Sequence, residues 1–162
     1  MNPAVLSGET SIFVTFLASI LIWLMFAGLV FMWVIDGRIK REQALHALFA
    51  TLIAWTLTLL IKSLIPSPRP FILDGLTPMT LTLPSNNSSF PSAHSAVAFA
   101  LATSVWIHNR KLGLRFIIIA VLVGVGRILS NVHFLHDVWV GAAIGIATAS
   151  ITKSLHLFKL VK

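Results

Sequence analysis

Lys62 and Arg69-Pro70, then Pro91-Ser92-Ala93-His94, then Arg127, His133 and Asp137 stand at the mouths of apolar stretches, and their types together describe a site for handling phosphate. Phosphoryl oxygens need their negative charge matched. An arginine offers a planar fork of donors suited to them, and a lysine a compact point charge. Lys62, Arg69 and Arg127 supply that charge. Pro66, Pro68 and Pro70 stiffen the path from Lys62 to Arg69, which holds the two cations in a fixed relation. The competing reading for each cation is interfacial snorkelling, in which basic heads at helix ends reach for lipid headgroups. Ionisable residues placed near a bilayer are costly, which makes them functional candidates by default.

Ser92 precedes an apolar segment and reads as its N-cap, so the free backbone N–H groups of that segment face an anion. His94 then lies within reach of a phosphate bound there and is placed to donate a proton to a leaving oxygen. His133 and Asp137 are four apart and share one face if a helix has begun by His133. The carboxylate then orients the imidazole and leaves the other ring nitrogen to attack phosphorus. Each motif alone also fits a blander role: a cap followed by an interfacial histidine, or a charged pair at a helix start. His136, beside Asp137 and near His133, raises zinc binding with His94 as an alternative. It is disfavoured, because three nearby cations would repel the metal.

These residues must be positioned by membrane helices. With 57% hydrophobic and 10% charged residues and a mean hydropathy of +0.92, the chain is an integral membrane protein of the all-α class. Its 162 residues suit one domain, residues 1–162: a compact bundle of about five transmembrane helices, each needing about 20 residues. The absence of cysteine excludes disulfides, thiolate chemistry and zinc-cysteine sites. A net charge of +7 is scattered between apolar segments and forms no basic stripe, which argues against nucleic acid. Met1–Thr10 holds Glu9 and no Lys or Arg, and the apolar run that follows is longer than a signal core, so that run is expected to stay in the mature protein.

The five apolar segments are about Ser11–Ile35, Ala44–Lys62, Ser92–Ile107, Leu112–Leu129 and Asp137–Leu157. Gly141 and Gly145, spaced as small-x-x-x-small, mark a close-contact face. Nine of the twelve basic residues fall in three places: Arg38, Lys40 and Arg41; Arg110, Lys111 and Arg115; Lys153, Lys159 and Lys162. The positive-inside rule makes those places cytoplasmic and the N-terminus external. Lys62, Arg69 and Arg127 then fall on the opposite, outer face, with every other candidate residue. The long connection from Ile65 to Phe90 holds five prolines and the polar run Ser85–Ser89, and a connection of that length is usually functional or mobile.

Lys62, six residues, Arg69-Pro70; Pro91-Ser92-Ala93-His94; and Arg127, five residues, His133, three residues, Asp137 resemble the three signature motifs of the type 2 phosphatidic acid phosphatase family. The resemblance covers the core from Lys62 to Asp137 with its flanking helices. Ala93 stands where glycine is commonest in the family, and Gly126 where a serine often precedes the arginine, which removes one hydroxyl from the phosphate's reach. The resemblance implies a membrane enzyme that cleaves a lipid phosphomonoester or diphosphate through a phosphohistidine intermediate, with no metal and no cofactor. It assigns His133 as nucleophile, Asp137 as its orienter and His94 as general acid, with Lys62, Arg69, Ser92 and Arg127 binding the phosphate. The expected setting is the cell (inner) membrane, crossed several times, with the active site on the extracytoplasmic face. Undecaprenyl diphosphate is narrowly favoured as substrate over phosphatidylglycerol phosphate and phosphatidic acid. The alternative from another class is a non-catalytic protein that binds or translocates a phosphorylated lipid. Binding needs cations and a helix start, but no oriented nucleophile.

Overall fold

The structure, a computed structural model, describes residues 8–35, 40–81 and 88–154. Helices α1 (Gly8–Thr15) and α2 (Leu21–Val34) run on through a π-helical turn, Phe16–Ile20. Then come α3 (Arg41–Leu64), the short α4 (Pro70–Asp74), α5 (Ala93–His108), α6 (Arg110–Leu129) and α7 (Leu135–Ser154). No strand occurs among the described residues. Arg38, Ser85, Leu157, Lys159 and Lys162, all named in the sequence analysis, lie outside those residues, as do residues 1–7.

Local chemistry sets the helix boundaries. Lys40 caps α3, its backbone N–H donating to Gln43 Oε1 at 3.1 Å, which satisfies one of the donors a helix start leaves open. A single residue, Asn109, ends α5 with extended backbone and starts α6, its Oδ1 accepting from Leu112 N at 3.1 Å. The α5–α6 corner is therefore tight. Pro70 opens α4 at a position where its missing N–H costs nothing.

Among the described residues, four stretches are long and apolar enough to cross a membrane by length and composition: Ser11–Val34, Arg41–Leu64, Arg110–Leu129 and Leu135–Ser154. Their outer faces carry exposed Trp23, Leu52, Ile118 and Ile151, as expected of surfaces that meet lipid. The sequence reading counted about five crossings, and α5 is the fifth long helix, running with these four from one end of the bundle to the other. At 16 residues it spans about 24 Å at 1.5 Å per residue, a little less than a ~30 Å hydrocarbon core. Its place is central: it packs on α3, α6 and α7, with Ala96, Ala98, Ala100 and Ala102 fully buried.

Small residues permit this packing. A Cβ at Gly141 would meet the carbonyl oxygen of Ser92, and one at Gly145 the carbonyl oxygen of Ala96. The Gly141/Gly145 face thus serves α7 against α5 within the chain. At one end of the bundle, Ser92 N donates to Asp137 O at 3.0 Å, joining the starts of α5 and α7. At the other end, His46 near the start of α3 lies 3.0 Å from His108 at the end of α5, and 2.9 Å from the carbonyl of Ala149 in α7. The C-terminal ends of α3 and α6 and the N-terminal ends of α5 and α7 therefore share one end.

Candidate active site

Asp137 sits in the first turn of α7. Its Oδ2 accepts the backbone N–H of Phe134 at 2.9 Å, a side chain reaching back to close the helix start. The same oxygen lies 3.4 Å from His133 Nδ1. The helix has not begun by His133, since α7 starts at Leu135; the pair meets because Asp137 caps the turn that His133 enters. With Nδ1–H donating to the carboxylate, Nε2 carries the lone pair. His133 is 3% exposed and Asp137 fully buried. Burial pushes the imidazole down to about 3; the bond to Asp137 opposes that, and the positive charges of Arg127, Arg69 and Lys62 reinforce it. The ring is neutral across the physiological range, as a nucleophile requires.

The backbone of residues 130–133 brings the arginines in. Asn131 adopts the left-handed conformation, φ 62°, which a short amide side chain tolerates. Its Nδ2 donates to Asp74 Oδ2 at 2.8 Å, and its carbonyl accepts Phe71 N at 3.2 Å. These two bonds fasten α4 to the α6–α7 connection. Arg69, which precedes α4, is thereby placed to donate from Nη1 to Val132 O at 3.1 Å, one residue from the His133 ring. Arg127, in the last turn of α6, donates from Nη1 to Ala18 O at 3.0 Å. Its Nε is buried with no hydrogen-bond partner among the described residues. Both arginines are 5% exposed.

Ser92 caps α5 as expected, its Oγ accepting from Ser95 N at 3.4 Å and from Ser95 Oγ at 3.0 Å. His94 follows in the first turn, where the charges of Arg127, Arg69 and Lys62 and the ring of His133 all act on it. Lys62 Nζ donates to the carbonyls of Ser88 and Ser89 at 2.9 and 3.0 Å. It fastens the connection before α5 with two of its three N–H bonds, and its charge still reaches the site. Ser88, Ser89, Val132 and Ala18 contribute through carbonyl oxygens, which side-chain motifs do not reveal.

His136, 64% exposed, puts Nε2 3.1 Å from Asp137 Oδ1, yet that oxygen makes no hydrogen bond among the described residues. The ring stacks on Phe134 at 5.4 Å instead. Among the described residues no three His, Asp or Glu side chains gather as metal ligands. Beside His94 lies a cavity of about 440 Å³ between α2, α3 and α5, lined by Ile22, Trp23, Phe26, Leu48, Trp55 and Val97 among others. Trp23 and Trp55 are exposed, so the cavity meets the outer surface of the bundle.

Residues 43–160 match the PAP2 superfamily. The chain belongs to that superfamily. It is 30% identical over 144 residues, 84% of its length, to the bacitracin transport permease protein BcrC of Bacillus licheniformis. It is also 30% identical, over 106 residues and 65% of its length, to the undecaprenyl-diphosphatase BcrC of Bacillus subtilis. It spans 66% and 54% of the lengths of those two proteins. Among solved structures, Aquifex aeolicus LpxE superimposes with a TM-score of 0.75 at 28% identity, covering 94% of this chain and 90% of that one. A transmembrane PAP2-type phosphatidylglycerolphosphate phosphatase from Bacillus subtilis gives 0.63 at 24% identity, with coverage of 94% and 79%, a likeness of fold. This PAP2 protein is accordingly a multi-pass helical membrane protein.

Proposed function

We propose that this protein is a lipid phosphatase that removes phosphate from a membrane-anchored phosphate or diphosphate, with undecaprenyl diphosphate as the preferred substrate. One observation carries the reading: the charges of Lys62, Arg69 and Arg127 all act on a buried imidazole that Asp137 orients. The Nε of Arg127, buried with no hydrogen-bond partner among the described residues, calls for an anion and is where a phosphoryl oxygen is received. His133 Nε2 attacks phosphorus, and the bond to the leaving oxygen breaks as His94 protonates it. Asp137 stabilises the imidazolium that forms. Its 3.4 Å contact with Nδ1 has room to shorten as charge develops. Water then attacks the phosphohistidine, releasing phosphate and restoring the ring.

The apolar cavity beside His94 gives the lipid's hydrocarbon chain a lateral approach, so the head reaches the cations while the chain stays in apolar surroundings. The name of the Bacillus subtilis relative supports the diphosphate, and the positive-inside count supports an extracytoplasmic site in the cell membrane. A second reading, transport or binding without turnover, draws on the permease name of the other relative. The His133–Asp137 pair weighs against it, since transport needs no nucleophile. Purified protein with chelator present, assayed for phosphate release from undecaprenyl diphosphate, phosphatidylglycerol phosphate and phosphatidic acid, tests both. The expected order puts the prenyl diphosphate first. Binding of all three with no release would establish the second reading.

A further inference from the structure

The first helix makes one departure from regular geometry, and it does so beside the site. In the turn Phe16–Ile20 the amide of Leu21 donates to the carbonyl of Phe16, five residues back instead of four. Such a turn dislocates the regular ladder and leaves carbonyl groups available to other donors. Three consecutive residues of the turn meet the walls of the site. Leu17 lies against Gly126, where an added Cβ would come within 2.7 Å of the Leu17 carbonyl carbon and 2.8 Å of Ala18 N. Ala18 O receives Arg127 Nη1 at 3.0 Å. Ser19 Oγ accepts Leu81 N at 3.2 Å, in the same segment whose Met79 N donates to Ser130 O at 3.1 Å.

We propose that this π-helical turn is a positioning element for phosphate binding: it fixes the Arg127 guanidinium through the Ala18 carbonyl, and Gly126 is the residue that admits the turn. The proposal rests on the reading of Arg127 as a phosphate ligand. A guanidinium is a rigid fork, so anchoring one Nη sets the direction of its remaining donors. Held before substrate arrives, those donors need no reordering when charge builds on the phosphoryl oxygens. The turn lies outside residues 43–160, the part of the chain that matches the superfamily. Gly126 also occupies the place where the family often carries serine. The two features explain each other, because a serine Cβ would stand in the backbone of Leu17 and Ala18. In this chain the phosphate thus exchanges a neighbouring hydroxyl for a better-held arginine.

A double-mutant cycle tests this, read as kcat/KM for a short-chain prenyl diphosphate and as inhibition by inorganic phosphate. Gly126→Ala is expected to lower kcat/KM and weaken phosphate inhibition, each about tenfold, and to change kcat/KM less than about twofold when Arg127→Ala is already present. Gly126→Ser, which installs the family's usual residue, is expected to behave like Gly126→Ala. Equal losses from Gly126→Ala in both backgrounds would mean general disruption and would overturn the proposal, as would full or raised activity in Gly126→Ser. Full activity in Arg127→Ala would instead remove the reading of Arg127 on which the proposal rests. If neither Gly126 variant folds, Arg127→Lys carries the test. It keeps the charge and loses the fork, so a loss of about tenfold or more supports the positioning role and full activity overturns it.

Discussion

At the scale of single residues, the site turns on how Asp137 divides its oxygens. One carboxylate oxygen closes the start of α7 through Phe134 N and at the same time faces His133 Nδ1. Asp137→Asn keeps an acceptor for the amide and removes the charge, so the fold should survive while kcat falls by about 10²- to 10⁴-fold. Steady-state kinetics beside a thermal melt separates the two effects. The His133 ring yields a second prediction through its depressed pKa. Unfolded, the ring takes a proton near the ordinary imidazole value of 6.5, whereas the buried ring resists down to about 3. Its contribution to stability is therefore complete above pH 6.5 and is lost as pH falls toward 3, by up to about 1.4 kcal/mol per pH unit for this one proton. His133→Gln lacks that linkage. The difference in melting temperature between wild type and His133→Gln should shift in favour of the variant between pH 7.5 and pH 5.5. A constant difference would mean that the folded ring titrates normally.

At the scale of elements, the site depends on how closely α7 approaches α5. Ser92 N reaches Asp137 O at 3.0 Å because Gly141 presents no Cβ to the Ser92 carbonyl. Gly141→Ala should separate the two helix starts and destabilise the protein by about 1–3 kcal/mol, as overpacking does. Gly28→Ala is the control. There a Cβ would meet Phe116 Cζ at an ordinary 3.8 Å, and the gain in helix propensity makes the change neutral or better. The helix ends from Val34 to Leu135 were legible in the sequence to within three residues, because apolar length and a capping residue such as Ser92 can be read from residue types. Helix α4 was not, since it lies among the prolines that mark the connection as irregular. The π-helical turn left no trace, as Phe16–Ile20 is as apolar as its neighbours. The motif side chains were legible by type and order. The carbonyls of Ser88 and Ser89 that Lys62 holds were not legible, since every residue type carries a carbonyl.

For the whole molecule, all the candidate site residues gather at one end of the bundle, while Arg41, Arg110, Lys111 and Lys153 belong to the helix ends that face the other way. Because the chain has no cysteine, its orientation is open to a clean test with single substitutions. Leu73→Cys in α4, where Leu73 is 65% exposed, should react with a membrane-impermeant maleimide applied to intact cells. Lys111→Cys, exposed at the opposite end, should react only after permeabilisation, and the reverse pattern would place the site on the cytoplasmic face. The central claim is that separate stretches of this chain form one pocket in which His133 takes the phosphoryl group. Rapid quenching of the enzyme with lipid diphosphate labelled in its terminal phosphate tests it most directly. The account predicts a transient label on His133 that survives alkali, is lost in acid, and is absent in His133→Ala. Rapid turnover with no label on His133, or with the label on another residue, would contradict it.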